Sequence, residues 1–219
     1  MRQNVSLAEI SDGHLYKAND MVKADCGGCE GCSQCCRGMG ISIILDPYDV
    51  YRLTTGIGKS MQELLATSVE LNVVDGVILP NLKMQGTREA CAYLDTEGRC
   101  SIHPYRPGIC RLFPLGRHYE NGGLFYFLQT GECAKENRSK VKVSKWIDTP
   151  ELKRNEQFKL QWHDLLSAMT DRVAGEDEGK QREENLLLLR LFYLLPYEGT
   201  TDFYSQFTER MEHWNEQIG

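Results

Sequence analysis

Residues 26–36 read CGGCEGCSQCC, which places five of the chain's nine cysteines within one short stretch. Such a density has four readings: metal ligands, a redox pair with spares, a disulfide framework, or small buried side chains. Core packing fits poorly, because the intervening Gly, Ser, Gln and Glu residues offer no apolar face. Cys26, Cys29, Cys32 and Cys35 recur at three-residue intervals and Cys36 follows directly. A C-x2-C step with glycines in the turn brings two sulfurs to one ion at little backbone strain. A single step is weak as a metal signature, whereas four cysteines in register plus an adjacent fifth are strong. A thioredoxin-like pair would sit in a βαβ pattern, which does not surround this stretch, and would leave the other thiols without a role.

The rest of the 219-residue chain limits these readings. It is 41% hydrophobic, enough to bury a core without disulfides. The formal net charge of −6 disfavours a non-specific grip on nucleic acid or anionic lipid. Residues 1–20 carry no apolar leader segment, and the longest apolar run, NLLLLRLFYLLPY at 185–197, is interrupted by Arg190 and too short to span a bilayer. A cytoplasmic location is therefore expected, where thiols stay reduced, and an odd cysteine count argues further against a closed disulfide framework.

The expected fold class is α+β: a small Cys-rich metal-binding domain of short strands and helices, followed by a C-terminal helical segment. Residues 1–25 read as a polar lead-in, 26–140 as the cysteine domain and 141–219 as a helical region packed on it. Asp46-Pro47 marks a helix start, and Ser60 with Glu63 has capping-box spacing ahead of a second short helix. Strands are expected near 73–79, 91–94, 112–117 and 124–129. Thr149-Pro150 suggests the cap of a long helix with Phe158, Trp162, Leu165, Leu166, Met169 and Val173 on one face. AGEDEGKQ at 174–181 reads as an exposed charged link, and residues 182–195 as an apolar helix. A last helix aligns Phe203, Phe207, Met211, Trp214 and Ile218, and at that spacing a core-facing stripe is the commoner explanation than a docking face.

The remaining cysteines fall in the middle of the chain. CAYLDTEGRCSIHPYRPGICRLFPLG at 91–116 holds Cys91, Cys100 and Cys110, and TGEC ends on Cys133. Ligand thiols must be deprotonated, and several thiolates leave excess negative charge. Arg106, Arg111 and Arg117 are placed either to offset that charge or to bind carbonyls as ordinary structural groups. His103 is left outside the ligand set.

Cys29, Cys32, Cys35 and Cys36 as CxxCxxCC, followed by RGMGISIILDPYDVYRL and by C.YL...GRCSIHPYRPGICRLFPLG, resemble the YkgJ-type cysteine-cluster family, to which zinc or iron chelation is ascribed. The resemblance spans about residues 26–140. It implies a metal-ligand set of Cys29, Cys32, Cys35, Cys36, Cys91, Cys100, Cys110 and Cys133, with Arg106, Pro107, Arg111 and Pro114 matching the family's RP..CR.FP element. Cys26 lies outside the shared motif, and GECAKENRS departs from the Cys-Pro-Gly of many relatives. Some relatives resemble flagellin lysine-N-methylases, which use S-adenosylmethionine, so a methylase-like enzyme acting on a protein substrate is the alternative the resemblance implies. The chain shows no glycine-rich strand-to-helix loop of the usual methyl-donor fold.

Zinc favours a closed tetrahedral site from separated pairs, whereas iron–sulfur clusters accept consecutive C-x2-C-x2-C runs. The expectation is an iron–sulfur cluster, with zinc as the alternative, including zinc in a purely structural adaptor domain. The partners expected are the metal ion or cluster and a protein substrate or partner, with no nucleic acid and no membrane.

Overall fold

In the computed structural model, which describes residues 6–27, 32–135 and 137–218, the two capping motifs do what their spacing predicts. Helix α1 is a single turn, Leu7–Ile10, and strand β1 is Met21–Asp25. Helix α2, Pro47–Ile57, starts from Asp46, whose side chain accepts from Asp49 N while the Asp49 carboxylate accepts from Asp46 N. Helix α3, Met61–Thr67, starts from the reciprocal Ser60–Glu63 pair. Each box satisfies two N–H groups that a helix start otherwise leaves unpaired.

Strands β2, Val69–Val74, and β3, Val77–Leu82, form an antiparallel hairpin. The strand expected over 73–79 is thus two strand ends around a turn. Asp75 and Gly76 both have positive φ, 50° and 82°, the requirement of the two-residue turn that matches strand twist. Strands β4, Met84–Gln85, and β5, Ala90–Cys91, make a two-residue ladder, so the strand expected over 91–94 ends at Cys91. Helix α4, Gly108–Leu112, occupies the start of the expected 112–117 strand, which begins instead at Leu115. There β6, Leu115–Glu120, pairs with β7, Gly123–Leu128, the latter where expected.

Strand β8, Ser139–Lys142, pairs with β1, so the polar stretch before residue 26 holds a strand with Val22 and Ala24 buried. Helix α5 is Val143–Ile147. Helix α6, Leu152–Val173, starts at Glu151 rather than at Thr149, because the Thr149 hydroxyl donates back to the Ile147 carbonyl and caps nothing. Helix α7, Glu178–Leu189, is capped by Asp177, which accepts from the N–H groups of Gly179 and Lys180, so the charged link is shorter than the expected 174–181. It runs into a π-helical turn, Arg190–Leu194, and helix α8, Phe203–Ile218, closes the chain. Among the described residues no helix is long and apolar enough to cross a membrane.

Two apolar clusters hold these elements. The larger joins α2, α3 and the β2–β3 hairpin to α6, α7, the π turn and α8, with Leu53, Leu64, Phe158, Met169, Leu188, Phe192 and Phe207 buried in it. Phe203, Phe207 and Trp214 face inwards from α8, as the stripe predicts. The smaller cluster joins β1, the β6–β7 hairpin and α5 through Val22, Leu112, Leu115, Tyr126 and Val143. Helix α4 therefore lies where the two clusters meet: Leu112 belongs to the smaller, while Ile109 and Cys110 pack on the larger. The overall arrangement is α+β.

Candidate metal centre

Three separate stretches carry thiols to one region. The first is a 3-10 turn, Gln34–Cys36, closed by Cys36 N to Ser33 O and Arg37 N to Gln34 O, both at 3.0 Å. It is held against the start of β5 by the Arg37–Ala90 bridge and by Gly38 N donating to Glu89 O at 2.9 Å. The second stretch leaves β5 at Cys91 and returns at Cys100. Asp95 ties that loop: its carboxylate accepts from Glu97 N and Arg99 N at 3.0 and 2.7 Å, Gly98 takes φ 77°, and Leu94 bridges Cys100. An Asx turn followed by a left-handed glycine is the local chemistry that lets the chain between Cys91 and Cys100 reverse.

The third stretch is α4. Asp49, a buried residue of α2, accepts from Gly108 N at 2.7 Å through Oδ1 and from Asp46 N through Oδ2. One carboxylate thus joins the start of α2 to the start of the helix that bears Cys110. Lys159 of α6, also buried, donates to the Asp46 carboxylate and ties in the C-terminal helices. Burial pushes the Lys159 ammonium down, towards about 7. A Cβ at Gly108 would stand 3.0 Å from the Arg117 guanidinium and 3.4 Å from Asp49 Oδ1, which accounts for glycine in RPGIC.

The thiols sense one another. Burial raises the Cys110 thiol first, and charge on Cys91, Asp49, Cys100 and Cys35 raises it further. Cys91 and Cys100 are raised chiefly by burial and then by each other's region, Cys91 by Cys100 and Cys35, and Cys100 by Cys35 and Asp95. Cys35 is raised by its hydrogen bond with Cys36, then by burial. Cys35, Cys91, Cys100 and Cys110 therefore lie near enough for charge on one to act on another's thiol. Two features there suit thiolates. Cys91 sulfur accepts from Tyr93 N–H and Cys100 sulfur from Ile102 N–H, each two residues on, and both bonds pull the thiol down. Arg106 pulls Cys35 and Cys100 down, and its buried Nε has no hydrogen-bond acceptor among the described residues.

The arginines divide between the two roles foreseen for them. Arg111 donates to Asp148 O at 3.0 Å and to Pro104 O, and Arg52 also donates to Pro104 O, at 2.6 Å, so both are carbonyl clamps on the 103–107 loop. Arg106 is the cation facing the thiols, with an orphaned donor. Arg117 lies against Gly108. Of these residues the sequence signals only Asp46, as a helix cap; the hold of Asp49 and Lys159 on α4 and of Arg52 on the loop before it is tertiary.

Cys32 and Cys133 take a different position. With Cys26, Cys35, Gln34, Phe113 and Pro114, they line a cavity of about 20 Å³. The described cysteines from Cys32 onward are all thiols rather than disulfides. Cys29 lies outside the described residues, and among those described no group of three His, Cys, Asp or Glu is set as a ready-made single-ion site.

A family model covering residues 28–139, a little over half the chain, matches this region: the CxxCxxCC domain, to which zinc or iron chelation is ascribed. The chain belongs to the CxxCxxCC family. No curated protein and no solved structure matches it. Cys35, Cys91, Cys100 and Cys110, together with Cys32, Cys36 and Cys133, all fall inside the CxxCxxCC match, and Cys26 lies two residues before it. The donor set fits the ascribed metals. Clustered thiols are ligands for both zinc and iron, and Arg106 supplies positive charge and an unused N–H beside them.

Proposed function

We propose that this chain is a cytoplasmic metal-chelating protein of the YkgJ type whose principal centre is held by Cys35, Cys91, Cys100 and Cys110 and takes an iron–sulfur cluster, for use in electron transfer, sensing or cluster carriage. The reading is supported by the nearness of one thiol of the CxxCxxCC run, Cys35, to Cys91, Cys100 and Cys110 downstream, with Arg106 acting on Cys35 and Cys100. The consecutive C-x2-C run agrees with it.

A bound cluster would supply one-electron redox chemistry. The chain's own residues do the rest. The turn at Gln34–Cys36 and the Asp49-anchored α4 each present one thiol and the Asp95 loop presents two, whose sulfurs accept from the Tyr93 and Ile102 N–H groups in a way that favours the thiolate. Arg106 offsets negative charge and offers its free N–H to an acceptor beside the sulfurs; such outer contacts tune both affinity and potential. Arg52 and Arg111 keep the intervening loop in place.

Anaerobic purification, followed by iron, zinc and acid-labile sulfide quantification with a visible spectrum, tests the reading. Iron with matching sulfide is expected. Zinc without sulfide would reassign the centre to zinc, and a protein that holds neither metal and whose folding ignores chelators would sink the metal reading.

A further inference from the structure

We propose that the cavity between the end of α2, the start of α3 and the segment leaving the π turn binds a small organic acid, an aliphatic body with one carboxylate, and that Lys59 recognises the carboxylate. The cavity measures about 420 Å³, within the range of small-molecule sites and far above the voids of a packed core. No cysteine among the described residues lines it, so it is apart from the thiols.

The lining decides the class of ligand. Val50, Met61, Tyr193 and Tyr197 are buried and give it an apolar floor. The hydroxyls around that floor are already committed. Tyr193 donates to Leu45 O and Tyr197 to Phe192 O, while Thr54 and Thr55 donate back along α2 to Val50 O and Tyr51 O. Ser60 is closed in its box with Glu63. Two lining side-chain donors stay uncommitted among the described residues, the exposed Lys59 ammonium and the exposed Gln62 amide. Lys59 is the one charged residue of the lining, and among the described residues it makes no ion pair. No carboxylate lines the cavity, so an organic cation finds no partner there. A single ammonium matches a monoanion, whereas the second charge of a phosphate monoester would go unmet. An aliphatic body covers the floor, and its burial supplies affinity.

The fold keeps this space open. Leu195 N–H reaches back five residues to Arg190 O across the π turn, a rare form that recurs at functional sites. The segment beyond the turn is held from outside the cavity by Arg210, so the cavity wall does not depend on a ligand for its hydrogen bonds. Gly199 lets the returning chain pass close to α2, since a Cβ there would stand 3.3 Å from the Thr55 methyl.

Calorimetric titration of the protein as isolated with straight-chain alkanoates, from butanoate to decanoate, tests the proposal, with octanamide as the uncharged match for octanoate. One-to-one binding is expected, tightening about fourfold per methylene until the cavity is full. Octanamide is expected to bind about tenfold more weakly than octanoate. Lys59→Gln should bring octanoate down to that level and leave octanamide where it was. Thr55→Phe, which fills the cavity from an exposed position, should abolish both. Metal content is measured alongside and is expected to stay constant, so this site and the thiol centre stand or fall separately. Octanoate affinity unchanged in Lys59→Gln or in Thr55→Phe would overturn the proposal, as would no saturable binding up to about 10 mM. Should Thr55→Phe fail to fold, lysine acetylation read by peptide mass spectrometry decides. Saturating octanoate is expected to slow modification of Lys59 and of no other lysine, and an unchanged rate at Lys59 overturns the assignment.

Discussion

At the scale of single residues, Asp49 carries more of the site than any cysteine-centred reading of the sequence would assign to it. It is 3% exposed and accepts from two backbone N–H groups, one of which opens the helix bearing Cys110. Burial holds its carboxyl up at about 6, against the opposing pull of Gly108 N–H, Arg117, Arg111 and Arg52. An unfolded aspartate ionises near 3.9. Between about pH 4 and 6 the unfolded chain has therefore lost a proton that the folded chain retains, and this group's contribution to stability falls as pH rises through that window. In Asp49→Asn that fall is expected to vanish, which denaturant unfolding of the metal-free protein over a pH series will show. At neutral pH the variant keeps one acceptor and turns an amide donor towards the other N–H. It is expected to lose about 1–3 kcal/mol and to bind metal more weakly. A variant whose stability tracks pH like the wild type between 4 and 6 would remove Asp49 from this role.

At the scale of elements, what could be read from sequence was what is decided locally. The Asp46 and Ser60 boxes, the β7 strand and the inward stripe of α8 depend on neighbours within a turn or two, and all are present. The 73–79 strand was misread because its apolar residues continue across Asp75-Gly76, a turn pair whose positive φ values divide the run into β2 and β3. Gly76→Ala is expected to destabilise by about 1–2 kcal/mol, since alanine is strained at φ 82° and its Cβ would meet a Val173 methyl at 2.9 Å. The π turn after α7 was equally hidden. A carbonyl of the turn and two just after it are met from another helix, by Arg210 of α8, which donates to Leu191 O, Leu195 O and Pro196 O at 2.8–3.0 Å. Arg210→Met keeps the apolar stem and removes the donors, and should cost about 2–4 kcal/mol in chemical denaturation. A cost below half a kilocalorie would mean that the turn holds without the guanidinium. The cysteines were legible as candidate ligands, but their placement in space was not, because it is decided by the Gln34–Cys36 turn and the Asp95 loop.

At the scale of the whole molecule, the C-terminal helices hold α4, the helix that carries Cys110, from two sides. Lys159 of α6 bonds Asp46, whose partner Asp49 anchors the start of α4. At the other end of α4, the Trp146 indole N–H of α5 donates to the carbonyls of Leu112 and Phe113, both at 3.2 Å. Helix α4 also joins the two apolar clusters. Closing Cys110 onto a metal should therefore be felt beyond residue 140, although every ligand lies before it. The chain's three tryptophans, Trp146, Trp162 and Trp214, all lie in that later part. Loading the stripped protein with metal is expected to shift the tryptophan emission, to raise the midpoint of a single thermal transition followed by that emission, and to make thiol exposure coincide with it. In Trp146→Phe the emission shift on loading should be lost while the rise in midpoint remains. Two resolved transitions, with only the thiol-reported one moving on loading, would instead mean that the helices fold independently of the centre. In that case the Lys159–Asp46–Asp49–Gly108 chain would be a static contact with no hold on Cys110.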